Sequence, residues 1–312
     1  MQWFIHALIA VTAIGGMMAL YKVPSVKGHN KFVYSFLSFF VATVLSYIVF
    51  HKYIYISSEA VLFGLLWGAG FAIVTMLQME LLKKLDTNAV FPITSLSSHV
   101  LVVIIGLSFF HDKVSPLQFL GIILTFTVIG FYNKVHKHIT LKNGLIPIVV
   151  GLVLLSTATK FVQKFGSITI ETKNFIFWQL FFAMIVSLII LIFVKRKELT
   201  LRIRPSKQIV LWAIALGTFN FIGTAEIVKA LSTGPFSLVY TVNSFYIIIT
   251  SLIAWKFFGE ELTKRKVVFF VDCCCHGDIN RAWVKTSRFY DILTLCKGNF
   301  RYGYRSLSSS GS

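Results

Sequence analysis

Of 312 residues, 56% are hydrophobic and 13% charged, and the mean hydropathy is +0.77. Soluble globular chains carry about 25% charged residues, so these proportions exclude an ordinary soluble enzyme, a disordered chain and a disulfide-stapled secreted domain. A net charge of +18 would point to nucleic acid in a soluble protein; here Lys and Arg sit between long apolar runs, the pattern of a membrane protein oriented by cytoplasmic positive charge.

A bilayer core of about 30 Å takes about 20 apolar residues per helix. Nine segments meet that demand: 2–21, 32–50, 59–82, 87–110, 116–133, 143–161, 174–194, 208–231 and 235–258. They are continuously apolar rather than alternating, which excludes a β-barrel. The first is expected to remain in the chain, because no basic region precedes it and no small-residue cleavage site follows. Loops after odd-numbered spans hold eighteen Lys and Arg against six in the even loops. That places odd loops in the cytoplasm and the N-terminus outside.

Polar residues within spans are costly in lipid and mark functional or packing sites. Lys22 and Lys160 fall at the predicted ends of spans 1 and 6, where their ammonium groups would snorkel to the headgroups. In span 3, Gly64 and Gly68 form a small-xxx-small pair suited to close helix approach; Trp67 and Gln78 are cavity candidates there, and Glu80 lies near the interface. Pro92 is expected to kink span 4. His99 follows Thr94, Ser95, Ser97 and Ser98 on that span and reads either as a substrate or proton group or as a helix–helix hydrogen bond. The corresponding part of span 9 carries Tyr240, Thr241, Asn243, Ser244 and Tyr246. Span 7 offers Trp178, and span 8 offers Asn220 and Glu226; Glu226 with Lys229 reads as a coupling carboxylate or as an interfacial ion pair.

An internal repeat relates 1–133 to 143–271, with 134–142 as linker. KFVYSFLSFFVATVLSYIVF from Lys31 matches NFIFWQLFFAMIVSLIILIF from Asn174, FFHDKVS from Phe109 matches FFGEELT from Phe257, and Gln78 falls opposite Glu226. Five spans per repeat is an odd number, so the halves insert in opposite orientation, an arrangement typical of secondary transporters. The GEELT turn, its degenerate copy HDKVS, the STGPFS turn and the PFSLVYTVNSFYIIITSLIAWKFF lead-in resemble the EamA-type module of the drug/metabolite transporter superfamily. That resemblance implies an all-α polytopic fold of ten helices in two inverted repeats, moving small metabolites through a cavity lined by both halves. It makes the acidic turn a structural marker rather than a catalytic site.

After Val271 the pattern breaks. Residues 272–312 contain all four cysteines (Cys273, Cys274, Cys275 and Cys296) and no apolar span. Read one nucleotide later, codons for VDCCCHGDINRAW permit an apolar run such as LIAAAMVILIVLG. The sequence therefore suggests a frameshift near residue 271 that overwrites span ten and impairs the protein. Zinc binding by CCCH is disfavoured, because adjacent thiolates cannot all face one ion; palmitoylation remains an alternative.

The functional expectation is a secondary permease or efflux transporter of small organic metabolites or drugs, in a bacterial inner membrane. It is not read as an enzyme, and no cofactor, metal or nucleic-acid partner is expected. The expected partners are a small-molecule substrate and the lipid bilayer, with a homo-oligomer left open. Candidate substrate-binding or coupling residues are His99, Glu226, Gln78, Asn243, Tyr240, Trp67, Asn220 and Ser98. The alternatives are a membrane-embedded lipid-handling protein or enzyme, although the eight His are scattered, and a non-functional translation product.

Overall fold

The computed structural model describes residues 2–134, 145–197 and 207–260, and every regular element among them is helical. Span 1 is α1 (Gln2–Leu20), followed by the short α2 (Val23–Lys27). Spans 2 and 3 are α3 (Lys31–Phe50) and α4 (Ser58–Leu81). Span 4 comprises α5 (Thr87–Phe91), a π-helical stretch (Pro92–Leu96) and α6 (Ser97–Ser108). Spans 5 to 8 are α7 (Pro116–Lys134), α8 (Ile146–Thr169), α9 (Thr172–Lys197) and α10 (Lys207–Thr233). Span 9 is split into α11 (Phe236–Asn243) and α12 (Tyr246–Phe258).

Among the described residues, eight helical segments are long and apolar enough to cross a bilayer, and α7 adds the shorter apolar helix Pro116–Thr127. The chain is thus a polytopic all-α membrane protein. The predicted tail 272–312, the stub of span ten and linker residues 135–142 lie outside the described residues. So does the second of the chain's two compact units, Leu262–Ser312; the first is Met1–Glu261.

Helix starts follow local chemistry. The Asn30 side chain accepts the amides of Phe32 and Val33 at the head of α3, and Ser57 accepts that of Ala60 at the head of α4. Ser115 and Gln118 exchange bonds at the head of α7: Ser115 N–H donates to Gln118 Oε1 at 2.9 Å and Gln118 N–H to Ser115 Oγ at 3.3 Å. Reciprocal bonding of this kind satisfies two of the amides that a helix start leaves open.

Span 6 departs from expectation. It was expected to end at residue 161, yet α8 continues to Thr169. Lys160, Gln163 and Lys164 lie on the side of α8 that faces other helices, so their polarity does not end the helix. Neither Lys22 nor Lys160 snorkels. Lys22 is buried in an ion pair, and Lys160 lies two and a half turns before the end of α8.

Helices pack chiefly as α1 on α10, α4 on α8 and α9, α3 on α9 and α10, α1 on α12, and α6 on α8 and α11. Gly64 and Gly68 let α4 approach α9 closely: a Cβ on Gly68 would stand 2.6 Å from the backbone nitrogen of Ala183. In this lipid-adapted arrangement polar groups face inward, while Ile5, Leu8, Ile48, Leu124, Leu154 and Phe193 are exposed.

Candidate functional site

The FF-x-acid motif has the same geometry in both places. His111 (φ 51°) and Gly259 (φ 68°) end spans 4 and 9 in the left-handed region. The next residue closes the turn onto the carbonyl six residues back, Asp112 N–H to Gly106 O at 3.0 Å and Glu260 N–H to Ala254 O at 3.5 Å. Each acid then reaches the start of the other broken span. Asp112 Oδ2 accepts Ser237 N–H and Ser237 Oγ–H, both at 2.7 Å, at the head of α11. Glu260 Oε1 accepts Thr87 N–H at 3.0 Å, at the head of α5, and the Lys22 ammonium at 2.7 Å. Burial raises the Glu260 carboxyl's pKa, but the bonds from Lys22 and Thr87 outweigh it and hold the group below the ordinary glutamate range. Lys164 serves the other end, donating to the carbonyls of Leu231 (2.7 Å) and Gly234 (3.0 Å) beside the start of α11. It follows Lys22 by 142 residues, close to the 143 between Lys31 and Asn174.

Between these two ends lies a small, partly open cavity. Helical spacing builds its walls. Trp67, Phe71, Val74 and Gln78 form one stripe of α4, and Ser156, Thr159, Lys160 and Gln163 one stripe of α8. Ser95 and His99 come from span 4; Tyr240, Asn243 and Tyr246 come from the two pieces of span 9. Ile14, Met17 and Met18 of α1 and Thr224 and Ile227 of α10 complete it. Both broken spans meet the cavity beside their irregular stretch, the π-helical turn after Pro92 and the break at Ser244–Phe245. Pro92 opens the π-helical stretch, so span 4 departs from regular α-helix at that residue.

The cavity wall is chemically specific. Ser244 Oγ donates to Tyr240 O at 2.9 Å and lies 2.9 Å from His99 Nδ1. With the hydroxyl proton on the carbonyl, Nδ1 carries the proton of the bond to Ser244, and His99 Nε2 presents a lone pair. The helix–helix bond and the ligand-facing nitrogen thus belong to one ring, which stands 5.5 Å from the Tyr240 ring and 5.9 Å from that of Tyr246. Tyr240 OH donates to Gln163 Oε1 at 2.8 Å, and Trp67 stacks on Phe71 at 4.5 Å. Gln78 Oε1, His99 Nε2, Gln163 Nε2 and Asn243 Oδ1 are buried without a hydrogen-bond partner among the described residues. Such atoms are costly unless a ligand or water meets them.

Of the residues singled out from sequence, His99, Gln78, Asn243, Tyr240 and Trp67 line this cavity. Ser98 stands behind it, receiving the Lys160 ammonium and, at 3.5 Å, Ser156 Oγ. Asn220 is one turn from the wall and accepts Thr224 Oγ–H at 3.2 Å. Glu226 does not reach the cavity. It pairs with His6 at 2.6 Å and Lys229 at 2.7 Å, because the neighbours Thr224 and Ile227 take the cavity face of α10. Glu80 pairs with Lys31 and Lys83. Trp178 donates to Tyr55 O at 3.0 Å and packs on Gly64. Sequence reasoning missed Lys160, Thr159 and Gln163; their i, i+3, i+4 spacing with Ser156 was the available signal.

Residues 142–275 match the family model of the EamA-like transporter family. That part of the chain is similar to the EamA-like transporter family. The match stops at Cys275, four residues beyond Val271. A protein of known crystal structure, 11% identical, superposes with a TM-score of 0.64 over 85% of this chain and 94% of its own, which shows a shared fold. No curated protein matches.

Proposed function

We propose that the chain is a secondary transporter of small organic metabolites or drugs, working by alternating access around the central cavity. The observation that carries this reading is the cavity itself, bounded by the two interrupted spans and walled by buried polar atoms that have no partner among the described residues. Sites beside discontinuous helices, between repeats, are where transporters hold solutes.

The repeats are 1–133 and 143–271, inserted in opposite senses. Their packing supports this: exchanging each span for the one five places on turns α1 on α10 into α8 on α4, α4 on α9 into α10 on α3, and α1 on α12 into α8 on α6. The crossed caps of Asp112 and Glu260 obey the same exchange. Each cap joins spans 4 and 9 at one end of the bundle, so opening the cavity to one side separates one cap while the other stays closed. Loop charge sets the Lys22 end in the cytoplasm of a bacterial inner membrane. Removing Lys160 and Lys164 from the even loops sharpens that bias, since both lie inside α8. The tail after Val271 is out of frame in this reading and deprives the second repeat of its fifth span.

Proteoliposomes loaded with a mixed metabolite extract test the function, comparing this chain with a frame-restored one. The account expects selective loss of at least one solute class through the frame-restored chain, slower through the 312-residue form. Loss indistinguishable from empty liposomes in both would refute it.

A further inference from the structure

We propose that the cavity selects a small organic monoanion, its carboxylate docked on the Lys160 ammonium and its apolar portion laid against Trp67 and Phe71. The inference rests on reading the cavity as the transport site and adds the class of solute.

Lys160 differs from the other interior cations. Lys22 is neutralised by Glu260 and Asp86, Lys31 by Glu80 and Lys229 by Glu226, while Lys164 is held by two backbone carbonyls. The Lys160 ammonium meets only neutral groups: it donates to Ser98 Oγ and stands 5.6 Å above the Tyr240 ring. Among the described residues, no carboxylate lines the cavity. The described acids nearest in sequence are engaged elsewhere, Asp112 by Ser237 and Glu171 by the Asn174 amide. A cation held inside the bundle by neutral groups calls for a counter-charge, and the cavity that Lys160 lines has room for one.

The neighbouring atoms complete a receptor. Gln163 Nε2, one turn from Lys160 on the same stripe, offers a second donor for the carboxylate, while Gln78 Oε1 and Asn243 Oδ1 offer acceptors for hydroxyl or N–H groups on the solute. A single positive charge matches one carboxylate better than a phosphate dianion. The stacked pair Trp67–Phe71 with Met17 and Met18 supplies an apolar surface for a compact skeleton.

The test uses the purified full chain in detergent and three matched probe sets: phenylacetate, benzoate and hexanoate, each with its primary amide and the corresponding amine. Phenyl phosphate serves as the phosphate arm. Ligand-induced stabilisation is read by thermal unfolding and affinity by titration. The carboxylates are expected to bind more tightly than their amides and amines. Lys160→Met should weaken carboxylate binding about tenfold or more, the scale of a lost charged hydrogen bond, and Lys160→Arg should restore most of it. The unliganded midpoint of each variant reports folding. The inference is overturned if no carboxylate binds, if amides or amines bind as well, if the phosphate binds better, or if Lys160→Met binds carboxylates normally. Exchange of the bound acid across liposomes separates the two readings: binding at Lys160 without exchange contradicts transport alone, and exchange of neutral solutes contradicts only the anion inference.

Discussion

Asp112 and Glu260, 148 residues apart, perform the same act in opposite directions: each ends one broken span and caps the start of the other. About 22 residues of helix, roughly 33 Å, separate the two contacts along span 4. The two acidic turns thus form a crossed pair of clasps, one at each end of the cavity.

The clasps differ in what they leave behind when cut. Glu260→Ala leaves the Lys22 ammonium, whose side chain is only 11% exposed, with the largely exposed Asp86 at 3.4 Å as its remaining ion-pair partner; loss of the closer partner from such a pair costs up to about 3–5 kcal/mol. Asp112→Ala removes a helix cap from neutral Ser237, worth about 1–2 kcal/mol. Thermal unfolding in detergent should therefore rank Glu260→Ala as the more damaging change. An equal or reversed order would mean that Asp86 takes over Lys22 fully.

Acid should weaken the Glu260 clasp. Its carboxyl is held below the ordinary glutamate value of 4.5 in the fold. The stability it contributes is therefore present above that value and is lost as pH falls through the lower, folded one. The unfolding midpoint of the parent chain should drop as pH goes below about 4.5, and Glu260→Gln should flatten this part of the profile. Parallel profiles for the two chains would exclude Glu260 as the source.

His111 holds a left-handed conformation that glycine holds at the equivalent turn, Gly259. His111→Gly should relieve about 1 kcal/mol of strain and raise the unfolding midpoint slightly. Gly259→Ala should lower it, although nothing stands near the added Cβ. A fall with His111→Gly would show that the imidazole contact to Phe109 O contributes more than the backbone strain costs.

Two helix glycines make a contrasting pair. At Gly68 an added Cβ meets the backbone of Ala183 and Gln179 at 2.6 and 2.8 Å, whereas at Gly151 it meets open space. Gly68→Ala should push α4 from α9 at a cost of about 1–3 kcal/mol, and Gly151→Ala should be close to neutral, both read as shifts in the unfolding midpoint. Equal shifts would contradict the tight α4–α9 contact.

The spans were legible because apolar run length decides them, and the turns because FFHD and FFGE carry their own geometry. The inward stripe of α8 was not. Lys160, Gln163 and Lys164 look like the approach to a span end when the bundle behind them is unseen, so the cavity's cation was assigned to the headgroups. Glu226 misled in the opposite sense: an ionisable residue in a span signals function only if it faces inward, and two residues from Thr224 turn the helix by about 200°. Gln78 and Glu226 were matched in sequence, yet only Gln78 reaches the cavity, with Ile227 doing so on α10. His99 was legible in both of its readings, since one nitrogen serves each.

Spin-label distances across the two ends test alternating access most directly, in a frame-restored chain with its cysteines replaced by serine. One pair, Lys84 and Lys256, spans the Lys22 end; the other, Lys113 and Thr233, spans the Asp112 end, and all four are exposed. On adding a bound solute, the two distance distributions should shift in opposite senses, one widening as the other narrows. Two unchanged distributions, or two that widen together, would contradict a cavity opened alternately by two inverted halves.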